Sequence, residues 1–175
     1  MDLASTLSAA EVRDFLGLEP YAEGGFFRET FRAAGVVDTP RGPRSLATGI
    51  LFLLTQGSRS RFHRLRGDEL WAHQAGAPVD LVMLSGGVRA AVTLATPDVP
   101  PGCGPRPGAG CEPQAIVPAG VWQAARVALR PGAPDWGLVA CVVSPGFDYA
   151  DFELAERDAL LRDFMDDAEI IRELT

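Results

Sequence analysis

The sequence predicts an all-β fold, a sandwich or closed barrel with a short helix at each end, on three observations. Short apolar or alternating runs recur along the chain, each closed by Gly, Pro or Ser, the pattern of strands joined by turns. Helical spacing is confined to the N-terminal stretch that ends near Gly17 and to the tail from Asp151. No internal repeat or low-complexity segment divides the chain, so residues 1–175 read as a single domain, long enough to bury a substantial core.

At the N-terminus Ser8 and Glu11 form a capping-box pattern, and Val12, Phe15 and Leu16 follow at helical spacing. After "LEPYAEGG" come candidate strands in "FFRETFRAAG", "SLATGILFLLTQG", "ELWAHQAG", "VDLVMLSGG" and "VRAAVTLAT". The stretch "PDVPPGCGPRPGAGCEPQ" is saturated with Pro and Gly and is expected to be a loop. Strands resume in "AIVPAG", "WQAARVAL" and "GLVACVVSPG". In the tail, Leu154, Leu160, Leu161 and Phe164 suit one amphipathic helix and "AEIIREL" a second short one. Asp151 is placed to cap the first of these, and "PGFDYADFEL" is equally suited to form a lid over the barrel mouth.

The composition, 47% hydrophobic and 22% charged, is that of a soluble globular protein. No apolar run is long enough to cross a bilayer and the first residues lack the pattern of a signal peptide, so a cytoplasmic location without membrane contact is expected. A net charge of −7 argues against a nucleic-acid partner. Arg41, Arg44, Arg59, Arg61, Arg64 and Arg66 are clustered, and two readings stand for them: solvated ion-pair partners, or one or two pocket residues holding a phosphate or carboxylate. The cysteines, Cys103, Cys111 and Cys141, show no metal-binding spacing; neither structural zinc nor a disulfide scaffold is expected, and a Cys103–Cys111 loop bridge stays open.

Chemistry concentrates in "RFHRLRGDELWAHQAG", which holds both histidines of the chain. Gly57, His63, Glu69 and Gly76 follow the spacing of the first cupin motif, with Leu65 where its second histidine would stand, and "PAGVWQ" resembles the second motif, with Gln123 in place of the last histidine. A hairpin would set His63 and Glu69 on neighbouring strands, both pointing into a barrel. The phrases "EGGFFRET", "SRFHRLRGDELW", "PQAIVPAGVWQAAR" and "VVSPGFDYADFEL" carry a closer resemblance to a family of small single-domain cupins of largely unassigned function. That resemblance implies a double-stranded β-helix of jelly-roll type, a homodimer, and a fold similar to that of the dTDP-4-dehydrorhamnose epimerases. Tyr21 and Ala22 replace a histidine and a proline expected before "EGG", and Ala72 replaces a histidine expected after Trp71.

His63 and Glu69 are the candidate catalytic pair, His63 as general base and Glu69 as the group that tunes or orients its imidazole. Arg28, Arg61, Trp71, His73, Trp122 and Gln123 are candidate ligand-binding residues: arginines for an anionic group, tryptophans as aromatic walls, and His73 because it shares strand parity with Glu69 and Trp71. Arg28 and Glu29 alternate, so only one of them can face inward. The first expectation is a cofactor-free isomerase or epimerase, or a related proton-transfer enzyme, acting on a polar or sugar-nucleotide-like small molecule. An alternative is a metal-dependent oxygenase or lyase that holds a divalent transition metal on His63, Glu69 and Gln123, a weak set beside three imidazoles. Another is a non-catalytic small-molecule-binding protein.

Overall fold

The computed structural model describes residues 7–96, 111–128 and 130–175. Helix α1 (Ala9–Leu16) begins with the capping box: the Ser8 hydroxyl accepts from the Glu11 N–H, and the Glu11 carboxylate accepts from the Ser8 N–H at 2.8 Å. It ends at Gly17, whose φ of 61° is the left-handed conformation that stops a helix.

Strands β1 (Glu19–Pro20), β2 (Phe26–Arg32), β3 (Val36–Thr39), β4 (Gly42–Ser45), β5 (Thr48–Thr55), β6 (Arg59–Leu65) and β7 (Asp68–Gly76) follow. Then come β8 (Val79–Ser85), β9 (Val88–Leu94), β10 (Cys111–Glu112), β11 (Gln114–Val117), β12 (Trp122–Val127), β13 (Trp136–Ser144) and β14 (Phe152–Leu154). The chain closes with α2 (Arg157–Asp163) and α3 (Ala168–Glu173). Two six-stranded sheets face each other, one ordered β1-β2-β5-β13-β7-β11 and the other β10-β9-β8-β12-β6-β14, and β3–β4 form a separate hairpin arm. This is the expected all-β jelly-roll sandwich with short terminal helices.

Three expectations are corrected. The tail helix does not include Leu154, which lies in β14 opposite His63 and completes the second sheet. Asp151 caps no helix; its carboxylate holds Arg41 Nε at 2.8 Å and Arg44 Nε at 2.6 Å, fixing the hairpin arm to the turn before β14. The run "VVDTPRGPRS", which falls between the expected strands, builds that arm. The Pro/Gly-rich loop falls largely on 97–110, outside the described residues, as does Cys103; its last part, Cys111–Glu112, pairs parallel with Thr93–Leu94.

The interior between the sheets is apolar at one end, where Leu81, Leu94, Val127 and Val139 are buried. Outside, α1 packs Val12 with Leu18, Leu53, Trp136 and Leu138 on the first sheet, while α2 and α3 bury Leu160, Ile171 and Leu174 against Phe62, Val82 and Leu84 on the second. Each such aliphatic side chain contributes roughly 1.5–3 kcal/mol by leaving water, which is why short helices of modest propensity hold their place.

Candidate functional site

β6 and β7 are not a hairpin. Arg66 and Gly67 turn the chain from one sheet to the other, β6 pairing with β12 and β14 and β7 with β11 and β13. His63 and Glu69 therefore reach the interior from opposite sheets. A bulge makes this possible for His63. Across Gln123–Ala125 of β12, β6 places Ser60 and His63 as partners, one residue more than regular pairing allows. The surplus lets Phe62 face the C-terminal helices while Ser60 and His63 both face inward. The Arg61 and Phe62 N–H groups bond instead to the carbonyls of Glu23 (2.9 Å) and Leu174 (2.8 Å).

Glu23 is the site residue that the sequence reading missed. It is 4% exposed, and its Oε1 accepts from the Ser60 hydroxyl at 2.8 Å. Its Oε2 lies 3.3 Å from His63 Nε2. Two glycines after it allow this approach. A Cβ on Gly24 would sit 2.1 Å from the Arg59 carbonyl oxygen, and one on Gly25 2.8 Å from that of Leu53, and both residues have positive φ. The signal was "EGG" itself, a carboxylate placed where the backbone must pass close to another strand.

The imidazole tautomer follows from its neighbours. His63 Nδ1 lies 2.9 Å from the Arg61 carbonyl oxygen, which only accepts, so Nδ1 carries the proton and Nε2 faces Glu23. On the opposite sheet the Trp71 indole N–H, a donor only, bonds to Gln123 Oε1 at 2.9 Å. That fixes the amide so that Gln123 Nε2 donates to Glu69 Oε2 at 2.5 Å.

Burial pushes the Glu23 carboxyl up to about 8, against the opposing pull of Ser60 and Arg61. It pushes Glu69 up to about 7, partly countered by His63. The same desolvation lowers His63, against the pull of Glu69. Acids raised and a base lowered make protons easy to exchange near neutrality.

These groups line a cavity of about 440 Å³ between the sheets. Tyr21, Phe27, Phe52 and Trp71 form its walls, with Tyr21 stacked on Phe27 at 4.2 Å between ring centroids and Phe52 edge-on to Trp71 at 5.9 Å. Phe147, Asp148 and Tyr149, from the segment "PGFDYADFEL", line its solvent-exposed side. Glu29 and Arg32 also line it, paired at 2.6 Å, because a bulge between Glu29 and Phe31 brings both residues to the inner face.

The remaining expected ligand contacts are placed elsewhere. Arg28 is exposed beside Gly17 and lies outside the cavity lining; of the Arg28–Glu29 pair, Glu29 faces in. Arg61 bonds to the carbonyl oxygens of Ala22 (2.6 Å) and Glu23, so it holds the Glu23 loop instead of lining the cavity. Trp122 packs toward the C-terminal helices under the Arg64 guanidinium. His73 does share the inward parity of Trp71 but is buried beyond the cavity, its Nε2 bonded to Ala77 O at 3.0 Å. Gln123 stands behind Glu69. Ala72 is on the outer face opposite Ala140, so that departure from the family pattern does not touch the cavity. Among the clustered arginines, Arg41, Arg44 and Arg64 are ion-paired, the last with Glu153.

A family model described as "Cupin superfamily (DUF985)" matches residues 10–155. The chain belongs to that cupin family. A hypothetical protein from Leishmania major is similar to this cupin at 31% identity and a TM-score of 0.81, over 97% of this chain and 99% of that one. A protein from Shewanella oneidensis is similar at 33% identity and the same TM-score, over 97% and 98% of the two chains. A cupin 2 conserved barrel domain protein from Rhodopseudomonas palustris shares the fold at 15% identity and a TM-score of 0.54, over 89% and 87%. No protein of curated function matches the chain.

Cupins include metal-dependent enzymes, and the expected set of His63, Glu69 and Gln123 can be tested against this cupin's hydrogen bonds. Gln123 does not fit. Its oxygen, the donor a metal would take, is committed to the Trp71 N–H, and its NH2 group faces Glu69.

Proposed function

We propose that this cupin is a proton-transfer enzyme of the isomerase or epimerase type, acting on a small molecule whose reacting carbon lies next to a carbonyl. The observation that carries the reading is the contact of His63 Nε2 with Glu23, faced by Glu69 from the other sheet. Neutral His63 takes the C–H proton on Nε2, the only ring nitrogen free to accept it, as the protonated Glu23 carboxyl gives its proton to the carbonyl oxygen. The product is an enol between an imidazolium and a carboxylate that stabilise each other. Glu69, with a pKa of about 7, supplies a proton from the opposite face, and inverted configuration or a shifted carbonyl results. His63 and Glu23 regain their starting states when the enol oxygen returns its proton and His63 gives one up to Glu69.

The test is deuterium wash-in. A panel of ketoses, aldoses and amino ketones is incubated with the protein in D2O and followed by NMR at the carbon beside the carbonyl. Wild-type protein should incorporate deuterium into at least one member, and His63→Ala and Glu69→Gln should each slow this by about 10²-fold or more. Wild-type exchange no faster than that of His63→Ala across the panel rules the reading out.

A further inference from the structure

The charges around the cavity are lopsided. Four carboxyl groups line it, Glu23 and Glu69 at depth and Glu29 and Asp148 nearer the mouth. Arg32 is the one arginine among the lining residues and no lysine is present, and its guanidinium is held by Glu29 through two hydrogen bonds, of 2.9 and 2.6 Å. The arginines expected to receive an anion, Arg28 and Arg61, are outside the lining. An anionic ligand entering here would give up its hydration and meet carboxyl groups in place of a counter-charge.

The walls add a second, independent feature. Aromatic rings enclose the space from several elements: Tyr21 before β2, Phe27 on β2, Phe52 on β5, Trp71 on β7, and Phe147 and Tyr149 at the mouth. Ring faces attract a cation and accept an apolar body, but they offer nothing to a phosphate or carboxylate. With Glu23 and Glu69 protonated in the reaction above and Glu29 paired to Arg32, the exposed Asp148 carboxylate and the aromatic walls around the space match a positively charged nitrogen on a flat or apolar frame.

We infer that the cavity selects an organic ammonium ligand, a protonated amine carried on an apolar or aromatic body, and rejects anions of the same shape. The inference rests on the cavity being the substrate site of the reaction proposed above, and it narrows the substrate to an amine-bearing compound. Within that class the ammonium takes the place of the missing counter-charge, while Tyr21 and Trp71 stack against the frame that carries it.

Three isosteric probes of different charge test this: benzylamine, benzyl alcohol and benzoate, with binding measured by ligand-observed NMR and by thermal shift. For the wild-type protein, benzylamine should bind about ten-fold more tightly than benzyl alcohol, and benzoate more weakly than either. Glu69→Gln, which imitates the protonated acid, should leave the preference for the amine within about two-fold of wild type. Asp148→Asn, at an exposed position where folding is not at risk, should reduce the preference for the amine several-fold. Benzoate or benzyl alcohol binding as tightly as benzylamine overturns the inference, as does failure of millimolar benzylamine to bind. The outcome is separable from that of the wash-in experiment. Amine-selective binding without deuterium exchange leaves the ligand class standing and removes the reaction, whereas exchange together with tight benzoate binding does the reverse.

Discussion

Glu23, with a pKa raised from 4.5 to about 8, keeps its proton across a range in which the unfolded chain has already released it. The folded state therefore binds more protons than the unfolded state between these values, and stability falls as pH rises through that window. His63 acts in the opposite direction. Its pKa is lowered, so the unfolded chain binds the extra proton and stability falls as pH drops below 6.5. The unfolding free energy in urea should vary little just below pH 6.5, where the two effects oppose each other, and decline from pH 6.5 to 8, by at most about 1.4 kcal/mol per pH unit for each linked proton. Glu23→Gln, which imitates the protonated acid, should flatten the decline; an equal slope in the variant would show that Glu23 is not its source. Glu69 and His73 separate function from support on a single strand. Glu69→Ala should abolish deuterium exchange, because it removes the group that faces His63 and leaves the Gln123 amide without its acceptor. His73→Ala loses a buried ring and its bond to Ala77, at a cost of about 1–3 kcal/mol in stability, while the folded fraction keeps its exchange rate. A comparable loss of exchange in both variants, measured on folded protein, would put His73 back in the site. His63 and Glu69 were legible in the sequence because motif spacing marks them. Glu23 was not, because its partners Ser60 and His63 lie far along the chain and only the two following glycines hinted at a close approach.

At the scale of strands, alternation and turn residues located most of the sheet, but they said little about which strands pair. "RLRGDEL" looks the same whether Arg66 and Gly67 close a hairpin or carry the chain to the other sheet, since side-chain parity is identical in both cases. Bulges are equally hidden in a single sequence, and they decide which side chains face inward: Arg32 in place of Phe31 on β2, and both Ser60 and His63 on β6. The β14 strand falls where the spacing of Leu154 with Leu160 and Leu161 predicts helix, because three residues carry too little period to distinguish the two. Its position matters for the cavity, since the segment before it lines the solvent-exposed side. Asp151 anchors that segment through Arg41 and Arg44, and Arg44 Nη1 also bonds to the Pro43 carbonyl, which stiffens the arm on the other side. Asp151→Ala should release the turn and speed amide hydrogen exchange over residues 147–152, with the sheets unaffected. Unchanged protection there would mean that Phe147 and Tyr149, packed edge to face at 5.1 Å, hold the segment without the ion pairs.

For the whole molecule, the outer face of the first sheet is covered unequally. Helix α1 seals the end that carries Leu53 and Leu138. At the other end, cross-strand pairing sets Phe31, Gly49, Val142, Leu70 and Ile116 in one row over five strands. Three of these are substantially exposed: Phe31 at 54%, Val142 at 36% and Ile116 at 61%. Gly49 has no side chain to interrupt the row, and the space a Cβ would take lies 3.5 Å from Phe31 Cβ and 3.8 Å from Val142 Cγ2. A continuous apolar row on a sheet face is costly to leave in water, and it runs out to β11, the edge strand of that sheet among the described residues. A second copy of the chain, related by a two-fold axis, would cover the same row with itself, since the patch on each partner is then identical. The protein should accordingly be a dimer by light scattering at micromolar concentration. Val142→Lys combined with Ile116→Lys should give a folded monomer, because both side chains point away from the core and a charge buried without a partner costs several kcal/mol at the interface. A monomeric wild-type protein, or a double variant that stays dimeric, would show that this row is not where two copies meet.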